Sequence, residues 1–159
     1  MKIRSSTLGF TLMELILVIV LLSILSLFAA SRFMGSSSFS AYTLQERVIS
    51  VIRQVQVNRM QSNVASPDNN FRLQVSSSCV GSVAACALTG SAQDARSDVV
   101  IDNSAKFSVI SGAANTINFN LLGNPVSGAV YILIEDKRGR SRCQVEINTQ
   151  GYVSKGTCS

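Results

Sequence analysis

The chain has no histidine and no tryptophan among its 159 residues, and only three tyrosines and seven phenylalanines. Without an imidazole, neither a Ser-His-Asp nor a Cys-His nucleophile system can form. Zinc loses its common nitrogen ligand as well. The four cysteines, Cys79, Cys86, Cys143 and Cys158, leave six and fourteen residues between successive pairs and form no CxxC. No Walker A loop, GxGxxG turn or paired metal-carboxylate spacing occurs either. Catalytic residues, cofactors and metals are therefore not expected. The few aromatic residues show no grouping that would make a stacking platform, and they are assigned to core packing.

Charge is also nearly missing from one long stretch. From Phe10 to Ala30 the chain runs 21 residues with Glu14 as its lone charge. As a helix this run would extend about 31 Å, enough to cross a bilayer core. A carboxylate inside hydrocarbon costs a few kcal/mol and is rarely left without a partner or a function. Ahead of the run, Lys2 and Arg4 resemble the basic n-region of a secretory signal, but no A-x-A cleavage site follows the apolar stretch. The same two charges predict the N-terminus in the cytoplasm and the bulk of the chain across the membrane.

The segment Gly9-Phe10-Thr11-Leu12-Met13-Glu14-Leu15 resembles the class III signal of type IV prepilins and type II secretion pseudopilins. In that family a prepilin peptidase cuts after the glycine and methylates the new N-terminal phenylalanine. The resemblance makes Gly9 the residue before the cut, Phe10 the methylated residue and Glu14 the acid that pairs with a neighbouring subunit's new amine. Such a buried pair sets the stagger of packed helices better than it adds stability. Ser31 stands where pilins commonly carry a proline. Loss of the leader removes Lys2 and Arg4 from 14 basic residues, leaving 12 against 9 acidic ones and a mild balance of +3.

The pattern divides the chain into a leader (1–9), a transmembrane and assembly helix (10–35), an amphipathic helix (36–63) and a globular domain (66–159). Gly35-Ser36-Ser37-Ser38 is the weakest helical stretch, where a chain leaving the membrane could bend. Beyond it Leu44, Val48, Val51, Ile52 and Val55 fall on one helical face, with Ile49 and Val57 off it. Ser66-Pro67-Asp68-Asn69-Asn70 is a loop signal that should end this helix. Short runs then read as strands over 71–75, 99–101, 106–110, 116–120, 129–135 and 144–148. The Ser-, Ala- and Gly-rich stretch 76–97 reads as an irregular loop held by Cys79 and Cys86. Turns are expected at Leu122-Gly123-Asn124-Pro125, Asp136-Lys137-Arg138-Gly139 and Thr149-Gln150-Gly151. The fold class is α+β: a long N-terminal helix followed by an antiparallel β domain with disulfides.

About 95 residues from Ser66 onward make one small domain that is marginal on hydrophobic burial alone. Two disulfides would add roughly 2 to 4 kcal/mol each. Of three pairings, Cys79 with Cys86 and Cys143 with Cys158 each close a local loop and are favoured.

A second resemblance covers Ile117 to Ser154. Phe119, Gly123, Gly128, Arg138-Gly139 and Gly151-Tyr152-Val153 follow the pattern of H-type pseudopilins and FimT-like minor pilins. The extra cysteines lean toward a pilus protein, with the minor pilins of the mannose-sensitive haemagglutinin (MSHA) pilus as the nearest group. This resemblance implies a minor fibre subunit, anchored in the inner membrane with its domain in the periplasm before it joins a pilus or pseudopilus. Its implied partners are other subunits, the prepilin peptidase, the membrane, and an assembly platform with its ATPase. An H-type subunit of a type II secretion system is the alternative. Lys137, Arg138, Arg140 and Arg142 raise a further alternative, contact with DNA or another polyanion, as some FimT-like pilins make. Flanking Glu135 and Asp136, and the use of basic residues to guard β edges, weigh against it.

Overall fold

The computed structural model describes residues 11–33, 40–111 and 114–159. The chain forms two compact units, Met1–Ser36 and Ser37–Ser159.

The first unit holds helix α1 (Leu12–Phe33). Thr11 starts it: its hydroxyl accepts the Glu14 N–H at 3.2 Å and its carbonyl accepts the N–H groups of Glu14 and Leu15. Threonine followed three residues later by glutamate is the capping-box order, which satisfies donors the first turn leaves open. The Ser23 and Ser26 hydroxyls donate back to the carbonyls of Ile19 (2.7 Å) and Leu22 (2.8 Å), so neither adds an open polar group to the helix surface. Leu12 to Leu25 present exposed apolar side chains. Among the described residues no helix is long and apolar enough to cross a membrane. Phe10, where the expected span begins, lies outside them, as does the expected bend at Gly35–Ser38. The helix continues through Ser31.

The second unit begins with α2 (Ser40–Gln61), which stops before the Ser66-Pro67 signal. It continues through β1 (Arg72–Val75), β2 (Cys79–Ser82), α3 (Val83–Cys86), α4 (Ser91–Asp94), β3 (Val99–Ile101), β4 (Ala105–Ser111), β5 (Thr116–Asn118), β6 (Val130–Asp136), β7 (Arg142–Ile147) and β8 (Val153–Cys158). The strands form two antiparallel sheets, ordered β3-β2-β1-β5 and β4-β6-β7-β8. The fold is α+β with two disulfides, Cys79–Cys86 and Cys143–Cys158.

Helix α2 packs its stripe on both sheets. Leu44, Val48, Val51, Ile52 and Val55 are buried together with Ile49, whereas Val57 is exposed. They share one core with Leu73, Val80 and Val100 of the first sheet and Phe107, Ile132, Ile134 and Val145 of the second. Burying each such aliphatic side chain contributes about 1.5 to 3 kcal/mol.

The stretch 76–97 is not the irregular loop its composition suggests. It carries β2, an inner strand of the first sheet, and the one-turn helices α3 and α4. The composition is misleading because small residues are what this strand needs. A Cβ on Gly81 would stand 2.6 Å from the carbonyl oxygen of Asp98, the residue just ahead of the paired strand β3. The final strand β8 also escapes the pattern. Val153 is its one fully buried apolar residue, and Gly156 lies so close to Gln144 that a Cβ would approach its side chain to 2.8 Å.

Candidate functional site

Gly9 and Phe10, the expected processing pair, lie outside the described residues. Glu14 sits in the first turn of α1, exposed, with its N–H capped by Thr11. A carboxylate there is favoured by the helix dipole while remaining open to a partner.

The basic cluster lies on the β6–β7 hairpin. Asp136 shapes its turn: its carboxylate accepts the Arg138 N–H at 3.2 Å and its carbonyl accepts the Gly139 N–H at 2.7 Å, with Gly139 at φ 68°. Arg142 pairs with Glu135 at 3.1 Å across the strand register, and Arg140 reaches Asp136 at 4.0 Å. Lys137 and Arg138 are exposed and make no ion pair among the described residues. Of the four cations counted in the sequence, two are thus engaged with carboxylates. Asp136 and Ser141 are buried, and the Asp136 Oδ2 and Ser141 Oγ atoms lack a hydrogen-bond partner among the described residues.

Four residues of the C-terminal pattern, Phe119, Gly123, Gly151 and Val153, meet α2, whereas Gly128 and Arg138-Gly139 do not among the described residues. Gly123 and Gly151 adopt φ of 81° and 79°, and a Cβ on Gly151 would meet the Gly123 carbonyl oxygen at 2.4 Å. The buried Gln56 donates from Nε2 to both glycine carbonyls, at 2.8 Å each. Buried Arg59 donates from Nε to the Phe119 carbonyl at 3.1 Å and from its two terminal nitrogens to the carbonyls of Val64 and Ala65. Arg53 donates to the Val153 carbonyl at 2.9 Å, and Gln45 to those of Gln144 and Gly156. Buried backbone acceptors need such donors, so these side chains fix where α2 seats. Apolar periodicity overlooks Gln45, Gln56 and Arg59. Their signal was positional: Arg59 continues the buried stripe four residues after Val55, and Gln56 stands seven after buried Ile49.

A second polar constellation lies between α2 and the segment leading into β3. Arg96 grips Asp98 with two hydrogen bonds, Nε to Oδ1 at 2.8 Å and the terminal nitrogen to Oδ2 at 2.7 Å. That terminal nitrogen also reaches Asn70 and Ser82 oxygens at 3.3 Å. Burial alone would raise the Asp98 pKa, but the hydrogen bonds from Arg96 and Ser82 and the Arg96 charge outweigh it and hold the carboxyl below its ordinary value. The same pairing raises Arg96 against the smaller effect of its burial. Three cavities of about 360, 270 and 170 Å³ share Arg96 as a wall.

Among the described residues no group of three or more cysteine, aspartate or glutamate side chains could hold a metal ion. Compared with protein-family models, curated proteins and solved structures, the chain finds no match.

Proposed function

We propose that this chain is a minor subunit of a type IV pilus, made as a precursor, cut after Gly9, methylated on Phe10 and drawn from the inner membrane into the fibre. The C-type minor pilins of the MSHA pilus are the group it most resembles. One observation carries the reading: a lone carboxylate, Glu14, stands in the capped first turn of a helix whose other described side chains are exposed and, apart from Ser23 and Ser26, apolar. Capping and the helix dipole account for an acid in a first turn, but not for one at the head of a long apolar run. Register between packed helices gives such an acid a use. The apolar run from Phe10 to Ala30 supplies the membrane segment, and the stapled β unit the part outside the membrane.

The test is to delete the gene, restore it in trans, and count surface pili while assaying secreted enzymes in the same cultures. Lost pili with normal secretion is the expected result. Normal pili with enzymes trapped in the periplasm would make the chain an H-type pseudopilin instead, and no effect on either would remove it from both machines.

A further inference from the structure

Strand β3 ends its sheet, and among the described residues no strand lies beside its outer edge. Ser82 N–H donates to the Asp98 carbonyl at 3.0 Å and Asp102 N–H to the Ser78 carbonyl at 3.1 Å, while Val100 faces Val80 between them. Antiparallel bonding alternates, so residues 98, 100 and 102 face β2. The N–H and C=O groups of Val99 and Ile101 therefore point outward. Among the described residues no backbone group bonds them. Short edges of this kind are ordinarily covered, charged or used.

Beside this edge lie two of the cavities, about 270 and 170 Å³, and both are walled by Arg47 of α2, by Arg96 and by Val99. Arg47 is exposed and makes no ion pair among the described residues. Arg96 is a third exposed while it holds Asp98. Asp94 lies on the wall of the smaller cavity. The third cavity is walled by the Gln54 side chain, which crosses from α2 to the Ser97 hydroxyl at 2.7 Å.

We propose that the β3 edge is a docking site for an extended segment of another protein, added as a further strand and carrying a carboxylate against Arg47. An alternating row of N–H and C=O groups is matched by another extended backbone, which neither a lipid nor a nucleic acid offers. The acidic side chain of the incoming strand is placed in the larger of the two cavities, which Arg47 walls and Asp94 does not. The site does not depend on the fibre reading and would stand without it.

The experiment pans the full-length chain, held in detergent micelles, against a displayed library of random octapeptides. Enriched peptides are expected to carry one carboxylate flanked by β-branched or aromatic residues. Val99→Pro removes an outward N–H and no ladder bond, so it should preserve the fold and weaken these peptides at least tenfold. Arg47→Glu, on the exposed face of α2, should weaken them at least tenfold without touching the sheet, which keeps the test valid if the proline variant fails to fold. No enrichment over the starting library, or peptides that bind both variants as tightly as the parent, would overturn the site.

Discussion

Single residues carry unequal weight in this chain. Asp98 holds its proton less tightly folded than unfolded, so its pairing with Arg96 contributes stability that is complete above the ordinary carboxylate value near 3.9 and is lost as pH falls through its lowered value. Denaturant midpoints should therefore drop more steeply below about pH 4 in the parent than in Asp98→Asn, which should be less stable by about 1 to 3 kcal/mol at pH 7. Equal pH slopes would show that the pair is energetically silent. Gly151→Ala should cost more than about 2 kcal/mol in the same assay, since it adds left-handed strain and a methyl group against the Gly123 carbonyl. At the other end of the chain, Glu14→Ala should leave cutting after Gly9 intact while reducing incorporation into fibres. Immunoblots of sheared fibres against whole cells measure this, and normal incorporation would remove the register role of Glu14.

Elements differ in how plainly the sequence announces them. Helix α2 was legible because its buried residues recur at three- and four-residue intervals, and the β6–β7 hairpin because Asp136 to Gly139 is turn chemistry between two apolar runs. Strands β2 and β8 were hidden because close backbone approach selects Gly81 and Gly156 there, and glycine reads as loop. The polar seating of α2 was hidden too, since Gln45, Gln56 and Arg59 look like solvent residues until the carbonyls they satisfy are brought to them by the fold. The pairing of Cys143 with Cys158 follows from strand register. Arg142 and Ser159 exchange both backbone hydrogen bonds, which leaves the cysteines as the neighbouring unbonded pair with Cα atoms 4.1 Å apart. Replacing both by serine should cost about 2 to 4 kcal/mol and lower the melting temperature. An unchanged melt would mean that pairing with β7 and packing on α2 hold β8 without the disulfide.

At the scale of the whole molecule, the two units have different physical requirements. The second is closed upon itself, with one core, two sheets and two staples. The first exposes apolar side chains from Leu12 to Leu25, which water does not tolerate and which a bilayer or the packed helices of a fibre would cover. The proposed processing residues Gly9 and Phe10 were legible only through their resemblance to a family signal, and they lie outside the described residues. The most direct measurement is the mass of the N-terminal peptide of the protein isolated from the cells that produce it. A prepilin-type subunit should begin at Phe10 and carry one methyl group on its amine. A chain that retains Met1 to Gly9, or one cut elsewhere, would contradict the assignment.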